Sequence, residues 1–151
     1  ASTTVLGSGT WAFTQGMRIS KASGIKGEKG DTGTGAPVSL TKTITLEEPV
    51  NGDNITIFRT EVAITVTEVK SVLVGSGTSV THQLYHHPTR NSASANALTN
   101  SNSITTQLTG DASVLSDATI PVDSWVWVKF TAPATATAGQ YITIDIRYTE
   151  D

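Results

Sequence analysis

The sequence predicts an all-β protein: a C-terminal antiparallel β-sandwich head of jelly-roll type, a short collagen-like neck, and a short extended or β-stranded N-terminal anchor. Three observations predict it. More than a quarter of the 151 residues are Ser or Thr, and Thr, Val and Ile crowd the same segments, as β-branched side chains do on a pleated surface. Apolar and polar residues alternate at period two through most of residues 38–151, and no segment carries a helical period. Glycine recurs at period three, but only around residues 24–33.

Residues 1–23 come first. Thr10-Trp11-Ala12-Phe13-Thr14 and Met17-Arg18-Ile19-Ser20 are two short alternating runs separated by Gln15-Gly16, which fits a hairpin or two extended strands. A segment this short builds no core of its own. Trp11, Phe13, Met17 and Ile19 are nevertheless costly to leave in water. They are expected to form an anchor, buried against another protein or among copies of the chain; folding back on the head is the alternative.

The neck covers residues 24–37. Gly24, Gly27, Gly30 and Gly33 keep a strict three-residue period until Gly35 breaks the register before Ala36-Pro37. In a collagen triple helix every third residue faces the crowded axis, where only Gly fits. Lys26 precedes Glu28 across Gly27, and Lys29 precedes Asp31 across Gly30, so three staggered chains bring opposite charges together. A flexible Gly-rich linker is the alternative. The run is too short and too poor in Pro to hold three chains unaided. At about 3 Å per residue it spans about 30 Å, so the flanking parts must impose the homotrimer that the period implies.

Residues 38–151 read as strands. Ile44 and Leu46 share a face within Ser39–Leu46, and Asn51-Gly52-Asp53-Asn54 is a turn cluster. Ile55–Arg59 follows. Val62, Ile64 and Val66 then alternate with Ala63, Thr65 and Thr67, and the apolar run Val69–Val74 ends at Gly75-Ser76-Gly77. Val80, His82, Leu84 and His86 share one face opposite Thr81, Gln83 and Tyr85. Thr89–Ser103 is expected to be a polar surface loop and Ile104–Thr109 a weak strand. The stretch from Ser124 to Phe130 is apolar on both faces, as a central strand is. Ile142, Ile144, Ile146 and Tyr148 alternate cleanly with Thr143, Asp145, Arg147 and Thr149.

Composition narrows the function. The net charge of −3 divides into +2 over residues 1–35 and −5 over residues 36–151; neither part has the basic stripe of a nucleic-acid binder. There is no cysteine, hence no disulfide framework or thiolate metal site. No apolar run approaches the roughly 18 residues of a membrane span, and Ala1-Ser2-Thr3-Thr4 is not expected to open a secretion signal. His82 and His86 are four apart on a strand, roughly 13 Å, and His86 and His87 point to opposite faces, so one chain makes a poor metal site. Neither catalytic carboxylate pairs nor a phosphate loop stands out; no enzyme activity and no cofactor are expected. Trp125 and Trp127 share a strand face and either pack in a core or interface or offer a platform for sugars. His87, Arg90, Asn91 and Asn96, in or beside the Asn- and Ser-rich loop, are the expected receptor-facing residues.

A Gly-X-Y run feeding a Thr-rich β-domain resembles fibre and head-decoration proteins of tailed bacteriophages. The head is also similar to a domain recurring at the C-termini of phage structural proteins. The stretches that carry this are Thr43–Pro49, Arg59–Val66, Val72–Thr81, Asp117–Pro121 through Trp125-Val126-Trp127, and Ile144–Thr149. One loop departs: His86-His87-Pro88-Thr89-Arg90-Asn91-Ser92 lacks the acidic residue of the usual Asp-Arg-Ser element. The resemblance implies a structural virion protein on the capsid surface, a trimer bound through residues 1–23 to the major capsid protein or another virion protein. The head then serves capsid stabilisation or weak adhesion to a host glycan or receptor. A tail fibre or tail-attached receptor-binding adhesin is the alternative it leaves.

Overall fold

The computed structural model describes residues 37–105 and 108–151, which fall in the compact unit Pro37–Asp151. The anchor residues Trp11, Phe13, Met17 and Ile19 and the neck glycines Gly24, Gly27, Gly30 and Gly33 lie outside the described residues. Period-two alternation becomes strand throughout. In chain order these are β1 (Ser39–Glu47), β2 (Asn54–Arg59), β3 (Ile64–Val74), β4 (Val80–His87), β5 (Asn96–Ala97), β6 (Asn102–Ile104), β7 (Asp111–Ala112), β8 (Thr119–Ile120), β9 (Trp125–Ala132) and β10 (Tyr141–Glu150).

Every strand pairing is antiparallel. One sheet runs β1-β10-β3 with β7 and β8 both along the far edge of β3; the other runs β2-β9-β4 with β5 and β6 both along β4. Taking each short pair as one position leaves eight positions, ordered 1-8-3-6 and 2-7-4-5 in the two sheets. That is the wiring of a jelly roll. The inner faces meet in one core. Ile142, Ile144 and Ile146 of β10 and Val126, Val128 and Phe130 of β9 are all buried, with Leu73, Val80, Leu84 and Ile120 around them. Each such side chain contributes about 1.5–3 kcal/mol by leaving water.

A bulge explains where the alternation slips. Arg147 pairs with Glu68 and Tyr148 with Val66, leaving Thr67 as the extra residue. The buried set of β3 therefore changes from Ile64 and Val66 to Val69, Ser71 and Leu73.

The two sides of the sandwich differ. On one, the stretch between β7 and β8 crosses over: Asn100 N–H donates to Val114 O at 2.8 Å and Ser116 N–H to Leu98 O at 2.8 Å, with Thr99 bridged to Leu115. The sheets are joined there by backbone. On the other side, no strand among the described residues pairs with the outer edge of β1 or β2. Lys42 of β1 takes an inward-alternating position with its ammonium 5.9 Å from the Phe58 ring centroid. A charge so placed discourages another strand from adding to the edge.

Three expectations need correction. Thr89–Ser103 is not wholly a surface loop: β5 lies inside it, β6 begins in it, and Leu98 and Thr99 are fully buried where the crossing stretch covers them. The weak strand pairs at Asn102–Ile104 and has ended at Thr105; residues 106 and 107 of the expected strand lie outside the described residues. Val62 stands outside β3 and is exposed. The turn after β3 demands glycine: Gly75 has φ of 100°, and a Cβ there would sit 2.6 Å from Gly139 O.

Candidate functional site

Successive side chains of a strand point to opposite sides, so β9 has two characters. Val126, Val128 and Phe130 enter the core, while Trp125, Trp127 and Lys129 lie on the outer face of the β2-β9-β4 sheet. Register sets their neighbours. Trp125 stands between Arg59 of β2 and His87 of β4, Trp127 between Thr56 and Tyr85, and Lys129 between Asn54 and Gln83.

Cations cover the rings of this face. The Arg59 guanidinium is 5.7 Å from the Trp125 ring centroid, that of Arg90 4.9 Å from Trp127, and the Lys129 ammonium 5.0 Å from Tyr85. Tyr85 stacks on Trp127 at 6.0 Å with 19° between planes. Arg90 arrives from the β4–β5 connection and is held in place. Its Nε donates to Thr56 Oγ1 at 2.7 Å and its Nη2 to Asn54 Oδ1 at 2.8 Å and Asn54 O at 3.1 Å. Partial burial lowers its pKa from the ordinary value. Trp127 is thereby fully buried on an outer face. Neither tryptophan joins the core cluster between the sheets, because their parity in β9 is opposite to that of Val126 and Val128.

Charge separates the sheets. No Asp or Glu occurs in β2, β4, β5, β6 or β9, whereas β1, β3, β7 and β10 carry Glu47, Glu68, Asp111, Asp145 and Glu150. The outer face of the β1-β10-β3 sheet largely neutralises itself. Arg147 meets Glu68 at 2.8 Å, Lys70 meets Glu68 at 3.4 Å, and Thr43 donates to Asp145 at 2.6 Å.

The expected receptor-facing residues scatter around the cationic face. His87 ends β4 beside Trp125. Arg90 clamps Trp127. Asn91, at φ of 66°, accepts from Asn54 Nδ2 at 2.8 Å, and Asn96 opens β5 opposite His86 with its side chain exposed. What residue order does not show is that Lys129, Arg59 and Tyr85 join them; the sign available was the two-sided apolarity of β9 together with three nearby cations.

His82 and His86 are buried on the inner face of β4. Ser71 Oγ lies 2.7 Å from His82 Nε2, and Phe130 presents an edge to the ring at 6.1 Å. This is nucleophile–base spacing, but both groups are sealed in the core and His82 Nδ1 has no hydrogen-bond partner among the described residues. Asp117 Oδ2 is 3.3 Å from His86 Nε2 without hydrogen-bond geometry. Burial lowers both pKa values, opposed by the His82 backbone and Asp111 in one case and by Asp117 in the other. Among the described residues no three His, Asp or Glu side chains gather where a metal ion would sit. A cleft of roughly 510 Å³ opens on the β1–β2 side, lined by Lys42, Phe58, Arg59, Glu61, Tyr148 and Glu150. Its mixed charge selects no one ligand.

No protein-family model matches the chain, and no curated protein matches it. Among solved structures it is similar to a chain of the capsid of Ralstonia phage GP4, with a TM-score of 0.55 and 20% identity, over 78% of this chain and 86% of that one. It also matches a chain in the structure of infectious bursal disease virus Gx strain, with a TM-score of 0.44 and 11% identity over 77% of this chain, of which it spans 33%. The likeness to the phage capsid chain is one of fold.

Proposed function

We propose that the chain is a structural, non-enzymatic virion protein: a trimeric head fibre or decoration protein held on a capsid by residues 1–23. Residues 24–37 space it, and residues 38–151 form the projecting head. The observation that carries this reading is the jelly-roll likeness to a chain of a phage capsid over 86% of that chain's length. The glycine period at Gly24, Gly27, Gly30 and Gly33 supports a trimeric spacer, and the β1 edge blunted by Lys42 suits a head that stays discrete instead of polymerising by strand addition. The test is the composition and imaging of purified particles. The protein is expected at high copy over the shell, and deletion of residues 1–23 is expected to release it while the head remains folded. Absence from purified particles, or confinement to the tail, would overturn the reading.

A further inference from the structure

We propose that the outer face of the β2-β9-β4 sheet is a binding surface for a carboxylate-bearing glycan, with Arg59, Lys129, Trp125 and Tyr85 as its contacts. The inference names a partner for the head proposed above and rests on that reading for its biological setting only.

Charge complementarity points to an anion. Residues 36–151 carry six basic and eleven acidic residues, so a cationic face is against the trend of the domain. Three of the six, Arg59, Arg90 and Lys129, nevertheless stand on this one face. Arg59 is paired with Asp123 at 2.8 Å. Among the described residues the Lys129 ammonium meets the Tyr85 ring and the Arg90 guanidinium meets Trp127, Thr56 and Asn54, and neither has a carboxylate partner there. A cation resting on an aromatic face is partly stripped of water. It is therefore ready to accept an incoming carboxylate by charge-assisted hydrogen bonds.

The surroundings fit a sugar better than another anion. Trp125 and Tyr85 stay partly exposed beside the cations that rest on them, so that some apolar ring surface reaches solvent. Beside them Thr81, Gln83 and Thr56 supply neutral donors and acceptors of the kind that sugar hydroxyls pair with. Gln83 is already oriented, accepting from the Tyr85 hydroxyl at 2.8 Å and donating to Thr99 O at 2.9 Å. Trp125 and Lys129 are four residues apart on one strand face, about 13 Å, a span for an oligosaccharide rather than a single ring. A nucleic acid is the poorer match. Its charge sits on phosphates apart from the bases, whereas a uronic acid carries carboxylate, hydroxyls and an apolar ring face on one unit, which cations beside aromatic rings and neutral hydrogen-bonding groups can meet together.

The experiment uses the full chain and calorimetric titration with oligogalacturonate, its methyl ester, and an oligodeoxynucleotide of equal charge. Oligogalacturonate is expected to bind, more weakly as salt rises. Esterification is expected to weaken it about tenfold or more, the loss of one charge-assisted contact. Lys129→Gln and Arg59→Gln are each expected to lose about tenfold, with Lys70→Gln on the opposite sheet unchanged and all three variants melting as the parent does. If Arg59→Gln loses Asp123 and melts early, Lys129→Gln alone carries the comparison. No binding of oligogalacturonate, equal binding of the ester, or equal binding of the oligonucleotide overturns the proposal. A protein found on particles but indifferent to oligogalacturonate sinks the glycan inference alone; a glycan binder absent from particles sinks the virion reading alone.

Discussion

Mild acid should loosen the head, because β4 buries two histidines. His82 and His86 are essentially without solvent exposure, and burial disfavours the imidazolium, lowering both pKa values from 6.5. The sign follows from linkage. Below pH 6.5 the unfolded chain binds protons that the folded chain refuses, so unfolding free energy falls as pH falls. The groups facing His82 are Ser71, Phe130 and Asp111, and those facing His86 are Asp117 and His87; the His82 backbone, Asp111 and Asp117 oppose the shift, while His87 adds to it.

Between pH 7.5 and 5.5 a histidine that stays neutral when folded costs at most about 1.4 kcal/mol, and the pair about 2.7 kcal/mol. That is a large share of the ~5–15 kcal/mol typical of a domain. Ordinary carboxylates titrate below this window. Urea unfolding followed by tryptophan fluorescence at the two pH values measures the difference. The His82→Leu, His86→Leu double variant should lose most of it. Equal unfolding free energies for the parent at both pH values, or an undiminished slope in the double variant, would refute the reasoning.

Arg90→Ala should uncover Trp127 and strip Asn54 and Thr56 of their partner, costing about 1–2 kcal/mol in chemical denaturation and shifting tryptophan emission to the red. Gly75→Ala forces a positive φ on alanine and pushes Cβ into Gly139 O; about 1–3 kcal/mol of stability should go, read as a lower thermal midpoint. Gly27→Ala, in the period-three run, should weaken the proposed trimer of the full chain, seen as a lower mass in sedimentation, while the β-sandwich of the same variant keeps the parent's thermal midpoint in calorimetry.

Legibility in the sequence tracked how local the physics was. The inward set of β10 and the shared face of Val80, His82, Leu84 and His86 were readable because period-two alternation is a property of the strand itself. The central place of β9 was readable for the same reason, since it is apolar on both faces and lies between β2 and β4. What covers its outer face was not readable. Arg90 lies 37 positions before Trp127, and only the pairing of β4 with β9 brings them together. The burial of Leu98 and Thr99 within a polar stretch was hidden likewise. It depends on residues 114–117 leaving the edge of β3 to pair across the sandwich. The candidate face was half visible as Trp125, Trp127 and Arg90, and lacked Lys129 and Tyr85 until register joined them.

The jelly roll also decides which surfaces are free for contact. Pro37, Glu150 and the connections 60–63, 88–95 and 121–124 gather at one end, and the connections 48–53, 75–79 and 133–140 at the other. His87 and Asn91 therefore lie at the end where the described chain begins. If residues 1–23 attach the chain as proposed, a receptor site confined to that loop would share the end at which residue 37 enters, and be crowded there. The cationic face does not share this difficulty. From Arg59 and Trp125 it runs along β9 to Lys129, away from that end and across the flank of the sheet, so a long glycan laid on it can pass beside the head. The Asn54→Ala change separates the two possibilities: it removes the side-chain support of Arg90 and Asn91 but leaves Lys129 and Arg59 on their rings. Oligogalacturonate binding that survives it assigns recognition to the sheet, and binding that vanishes with the fold intact assigns it to the loop.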